Sequence, residues 1–98
     1  MAGVNYEKEL LDLIEIIVSE NASDLHLSVA AHPTIRVSGS LIPLLKKPIL
    51  TSEDADAFSR VLLSDAQYTE FQKTKEMDFS YDYKDGIRFR GNAFFQPR

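Results

Sequence analysis

Asp24, His26 and Ser28 are the residue types of a hydrolase triad, and their spacing of two sets all three on one face of an extended strand. The same spacing argues against catalysis. Side chains two residues apart on a strand stand roughly 7 Å apart, beyond the direct hydrogen bond that a nucleophile and its base require. Partner packing, or a turn-stabilising bond from Asp24, is the better reading, and no catalytic residue is expected. His26 and His32 are the only imidazoles. No third ligand stands at a recognisable spacing and Pro33 fixes the chain directly beyond His32, so no metal site is expected.

Arg88 and Arg90 are the third group. Two apart on a strand, they point to one side roughly 7 Å from each other, a spacing that suits a guanidinium pair to phosphate oxygens. Arg36 is a weaker third candidate. A plainer reading stands beside this one, in which Arg88 neutralises Asp82 and Arg90 is a solvated residue on a polar strand face. The sequence holds no G-x-x-x-x-G-K-[ST], and its glycines at 3, 39, 86 and 91 are too scattered to cradle phosphates through consecutive backbone donors. These residues alone are not expected to hydrolyse ATP.

The elements that must carry these groups follow from hydrophobic period. Tyr6, Leu10, Leu13, Ile14 and Ile17 recur at helical spacing with Asn5 as cap, and acids occupy the opposite side. Asp24 to Ser28 alternates, placing Leu25 and Leu27 inward. Pro33 to Val37 and Leu41 to Leu45 read as a hairpin about Ser38-Gly39-Ser40. Thr51 with Asp54 forms a capping box for a helix whose apolar face is Ala55, Phe58, Val61 and Leu62. Ser64 and Gln67 open a third helix carrying Tyr68 and Phe71.

Met77, Phe79, Tyr81 and Tyr83 alternate with polar residues, and Ile87 to Phe95 supplies a partner strand. A two-residue Asp85-Gly86 turn mixes core and solvent residues on both faces. A three-residue Lys84-Asp85-Gly86 loop, with Gly86 in a G1 bulge, pairs Tyr83 with Ile87, Tyr81 with Phe89, Asp82 with Arg88 and Ser80 with Arg90. An Asp82 to Arg88 contact is therefore expected. Phe94 is the one aromatic on the polar strand face, marking either an intersubunit contact or a bulge.

Ninety-eight residues, 44% of them hydrophobic, suffice for one compact core. The net charge of −4 argues against nucleic acid as the main partner. With no cysteine, thiolate chemistry and disulfides are excluded. The first twenty residues scatter acids through their apolar positions, which fits neither a signal peptide nor a membrane span and leaves a cytoplasmic protein as the default. Those same acids disfavour the leading helix as a segment lying on anionic lipid.

Three stretches in this order carry a resemblance: Ala22-Ser23-Asp24-Leu25-His26-Leu27, then Ile35-Arg36-Val37-Ser38-Gly39-Ser40-Leu41, then Asp78-Phe79-Ser80 with Arg88-Phe89-Arg90-Gly91-Asn92-Ala93-Phe94. From about Leu10 to Arg98 the chain resembles the first domain of type IV pilus retraction ATPases of the PilT type. The family's extension and secretion branches usually carry Glu where Ser28 stands, which favours the retraction branch. Ser38, where Asp is more usual, and Gly91, where a β-branched residue is common, are departures.

The resemblance implies an α+β fold, a single PAS-like domain over residues 1–98 with an antiparallel sheet flanked by helices. Its parent would carry a further RecA-like ATPase domain using ATP and Mg2+ in a ring of six subunits. Its partners would be that ATPase domain, the neighbouring subunits and, indirectly, the inner-membrane pilus platform, at the cytoplasmic face of that membrane. Arg88, Arg90 and Arg36 would reach nucleotide held by the neighbour, and movement between the two domains would drive pilus retraction and twitching motility. The chain stops at Gln96-Pro97-Arg98 directly after a strand, as expected of a domain cut from a longer protein. Alternatives are a free-standing PAS-like sensor of a small ligand, an extension or type II secretion ATPase domain, and an isolated hydrolase, for which no ester hydrolysis is expected.

Overall fold

The computed structural model describes residues 5–82 and 88–94. Elements run α1 (Tyr6–Ser19), β1 (Asp24–Ser28), β2 (Thr34–Val37), β3 (Ser40–Pro43), α2 (Ser52–Leu62), α3 (Asp65–Thr74), β4 (Glu76–Asp82) and β5 (Arg88–Phe94). The α+β class stands, as one compact domain. Its five strands form a single sheet in the order β3-β2-β1-β5-β4.

Local chemistry builds the helices. The Asn5 side chain accepts from the Lys8 amide at the start of α1, and both expected capping boxes are present, Thr51 with Asp54 and Ser64 with Gln67. The Ser38-Gly39 turn holds both residues in the left-handed region, with φ of 50° and 83°, and Val37 pairs with Ser40 across it. This is the twist of a two-residue hairpin loop, where glycine is at ease and serine is held in a less favourable region.

Two expectations are corrected. The sheet is mixed rather than antiparallel throughout, because β1 and β5 run parallel. Alternation is blind to strand direction. Here the chain leaves β1, builds β2 and β3, two helices and the edge strand β4, and only then returns as β5 beside β1 in the same sense, as a long connection permits. In α2 the inward stripe runs Asp54, Ala55, Phe58 and Ser59, so Val61 is left 37% exposed while Leu62 packs against the core. The polar members of that stripe are satisfied internally. Asp54 caps the helix and accepts the Tyr6 hydroxyl at 2.7 Å, and Ser59 donates to the Asp56 carbonyl.

The β4–β5 register is the one that the three-residue loop requires: Tyr81 opposite Phe89, Asp82 opposite Arg88 and Ser80 opposite Arg90. The loop itself and the Tyr83–Ile87 pair lie outside the described residues. Pairing continues unbroken through the backbone of Phe94 with both Ser28 and Glu76, so no bulge occurs there. The exposed Leu41 pairs with Arg36 on one face of the sheet, whereas the buried apolar strand positions share the other. Leu25, Leu27, Ile35, Phe79, Phe89 and Ala93 are buried there against Leu10, Leu13, Ile14 and Ile17 of α1, Phe58 of α2 and Phe71 of α3. The helices cover this face, and the opposite face carries the polar side chains.

Gly91 interrupts the apolar row of β5 for a steric reason. A Cβ there would fall within 3.0 Å of three carbons of the Phe79 ring. That ring is itself buried, so the space cannot be yielded cheaply. Gly91→Val is expected to lower stability by about 1–3 kcal/mol through overpacking. The cost should shrink in a Phe79→Leu background; equal costs in chemical denaturation of the two backgrounds would show that ring and glycine do not share the space.

Tyr6 ties α1 to α2 through its Asp54 bond and an edge-on contact with Phe58 at 5.2 Å between ring centroids. The hydrogen bond to Asp54, with burial, pushes the phenol up to about 12 from 10.0. A pKa raised by folding contributes stability that is complete below pH 10.0 and is lost as pH rises toward 12. Wild type is expected to lose more stability than Tyr6→Phe over that interval, measured by urea unfolding at successive pH values.

Candidate functional site

β1 is the middle strand, and its polar face meets one arginine from each neighbour. Asp24 is in register with Arg36 of β2 on one side and with Arg90 of β5 on the other, and Ser80 of β4 continues the row. The Asp24 side chain is only 12% exposed. Arg36 donates through Nε to Oδ2 at 3.3 Å, and an Arg90 terminal nitrogen donates to Oδ1 at 3.2 Å. Arg36 also donates to the Gly39 carbonyl at 3.1 Å, which ties the β2–β3 turn to the same group.

Burial works against the charge on Asp24, but Arg90, a hydrogen bond from Ser23 and the bond from Arg36 outweigh it and hold the carboxyl below its ordinary range. The next row reads Thr34, His26, Asn92 and Asp78 across the same four strands. His26 Nδ1 lies 2.7 Å from Asn92 Oδ1, and its Nε2 lies 4.0 Å from Asp24 Oδ2. Asp24, His26, Arg36, Asp78, Ser80, Arg90 and Asn92 line an open depression of about 690 Å³, to which Gln67 of α3 also contributes.

Each anticipated group now has a place. Arg88 and Arg90 do share a face of β5, but they have different partners. Arg88 pairs with Asp82 at 3.1 Å, as expected, with both side chains largely exposed, a geometry that contributes little stability. The arginine that the fold brings into one cluster with Arg90 is Arg36, through Asp24. Among the described residues the Arg90 side chain bonds to Asp24, and it stays 76% exposed, leaving most of its donors facing solvent. Asp24 is committed to the arginines and His26 Nδ1 to Asn92, so the triad residue types do not form a nucleophile–base relay.

His32 is elsewhere, its Nδ1 2.6 Å from the Lys47 carbonyl. Among the described residues no group of three or more His, Cys, Asp or Glu is arranged to hold a metal ion, and no helix is long and apolar enough to cross a membrane. The roles of Asp24 and Asn92 were not anticipated. The signal for them lay in the polar alternation of two strands whose adjacency was unknown.

The chain is 34% identical over 90 residues to the type IV pilus retraction ATPase PilT of Pseudomonas aeruginosa, a match covering 92% of this chain and 26% of that protein. It also superimposes on a crystal structure of the pilus retraction motor PilT with bound ADP, with TM-score 0.68 and 31% identity over 88% of this chain and 25% of that one. The chain is a PilT-type amino-terminal domain. A second relative of this PilT-type domain is the type IV pilus ATPase PilU of the same organism, 26% identical over 90% of the chain. The domain spans about a quarter of the length of these relatives. No protein-family model matches it.

Because folding lowers the pKa of Asp24, its contribution to stability is complete above the ordinary value of 3.8 and is lost as pH falls through and below it. Asp24→Asn removes that dependence. The acid limb of thermal unfolding below about pH 4 is expected to be flatter in Asp24→Asn than in wild type. Parallel limbs would place the acid sensitivity on other carboxylates, of which Asp54 and Asp56 are also lowered.

Proposed function

We propose that this domain is the coupling domain of an ATP-driven type IV pilus motor, acting on nucleotide held by an adjacent subunit rather than on a nucleotide of its own. The observation that carries the reading is the similarity to PilT over 92% of the chain together with the Arg36–Asp24–Arg90 cluster on the polar sheet face. The relatives are named as a retraction ATPase and a pilus ATPase, and the solved neighbour as a retraction motor with bound ADP. The parent protein would be a cytoplasmic ring, a hexamer, working at the inner-membrane face and hydrolysing ATP with Mg2+ in a domain beyond residues 1–98.

In this reading Arg90 meets phosphate oxygens first, Arg36 supports it from the next strand but one, and Arg88 lies one row away. Guanidinium groups mounted on strands suit this task, because the sheet fixes their origin and the carboxylate between them fixes their direction. The space in which a small-ligand sensor would hold its ligand, between helices and sheet, is filled by Leu13, Ile14, Phe58 and Phe71.

Two measurements test the proposal. The reading frame of the parent gene should enter a phosphate-binding loop motif soon after codon 98; an unrelated domain there would end the motor reading. In that parent, Arg90→Ala is expected to reduce ATP turnover at saturating ATP by about 100-fold or more, the scale for loss of a transition-state charge contact. Arg88→Ala should stay within about threefold, since its partner is an exposed Asp82 whose pairing contributes little. Unchanged turnover in Arg90→Ala would remove the nucleotide role.

A further inference from the structure

His26 stands beside the Arg36–Asp24–Arg90 row and is fixed from one side only. An amide oxygen accepts and does not donate, so the 2.7 Å contact with Asn92 Oδ1 places a proton on His26 Nδ1. Nε2 is then the open position. It is shut off from solvent, has no hydrogen-bond partner among the described residues, and lies 4.0 Å from Asp24 Oδ2, the oxygen that also accepts from Arg36. In the neutral ring a lone pair there faces a carboxylate, which is repulsive. In the doubly protonated ring an N–H faces it, which is attractive.

The charged groups around the ring are Asp24 on its own strand, Arg36 on β2, Arg90 on β5 and, beyond Asn92, Asp78 on β4. Thr34, directly opposite on β2, is uncharged. One further positive charge in this group has two effects of the same sign. It adds to the potential over the depression, and it draws on the negative charge of Asp24 that otherwise neutralises the two guanidinium groups.

We infer that His26 is a proton-operated regulator of an oxyanion site on this sheet face: on protonation its Nε2–H closes onto Asp24 Oδ2, and Arg36 and Arg90 then hold a doubly charged oxyanion of the phosphate or sulfate kind more tightly. The inference rests on reading Arg36 and Arg90 as a phosphate-contacting pair. It adds that the strength of the contact follows pH.

Sulfate is the probe, because its own charge does not change over the range in which imidazoles ordinarily titrate, about pH 5 to 8. Titrated calorimetrically into the 98-residue chain, it is expected to bind roughly 3- to 10-fold tighter near pH 6 than near pH 8. In His26→Gln that ratio should fall to about one. The wild-type imidazole gives an answer that needs no variant: by 15N chemical shift, Nδ1 stays protonated throughout and Nε2 gains its proton over the interval in which sulfate affinity rises.

Sulfate binding that persists with the same pH dependence in His26→Gln, or an Nε2 titration outside that interval, overturns the role of His26 and leaves the arginine pair standing. Absence of sulfate binding at both pH values, or binding that Arg36→Gln and Arg90→Gln do not weaken, overturns the inference together with the phosphate reading beneath it.

Discussion

The parallel register of β1 against β5 is the constraint from which the rest of this domain follows. It joins the leading helix and hairpin to the two later helices and the β4–β5 pair, and it does so at the centre of the sheet. A slip of one residue would turn Leu25 and Leu27 to solvent and Asp24 into the core. The register is therefore held by two requirements of opposite chemistry. The leucines require the helix-covered face, and Asp24 requires the face on which Arg36 and Arg90 stand. Both are met by one alignment and by neither of its immediate neighbours.

The two faces also constrain each other through β5. Gly91 lies under the Phe79 ring, so β4 and β5 approach with an aromatic ring seated directly over backbone. Its flanking residues, Arg90 and Asn92, then emerge on the far side opposite Asp24 and His26. The apolar packing thus aims the polar row. The reverse contribution is smaller, because a buried carboxylate loses hydration that its ion pairs only roughly restore. The Asp24 cluster accordingly does more to exclude wrong registers than to add net stability, whereas the buried leucines and phenylalanines carry the hydrophobic stabilisation.

How much of this was legible depended on the range of each interaction. Helix starts at Asn5, Thr51 and Ser64 were readable because a cap and its recipient amide lie within three residues. The β4–β5 register was readable because the wrong loop length would have mixed Tyr83 with Arg88. The direction of β5 beside β1 was not readable, since alternation carries no sense of direction and the two strands are more than sixty residues apart in the chain. Without that adjacency, Asp24 had only its strand neighbours for partners, and the pair of arginines appeared to be Arg88 with Arg90. The exposure of Val61 was missed for another reason. Asp54 and Ser59 find hydrogen bonds inside the fold, and a polar residue so satisfied can occupy a buried position that an apolar count assigns elsewhere.

The helices pack their apolar residues on one face of the sheet, and the way the other face is filled limits what it can do. A sheet face exposed only to water needs no buried carboxylate; scattered polar residues would serve. Here the central position holds a carboxylate that is almost wholly shielded, clasped from both sides, with an imidazole bound to the neighbouring strand next to it. Arg90 gives a terminal nitrogen to Asp24 and keeps most of its surface free. A guanidinium group anchored at one nitrogen and open at the others is oriented without being used up, because its planar fork holds the remaining N–H groups in a known direction. An exposed pair such as Arg88 with Asp82 has no such anchor and must lose side-chain entropy on meeting any ligand. The cluster on β1 has already lost that freedom on folding, which is the pre-organisation that the proposed anion contact would draw on.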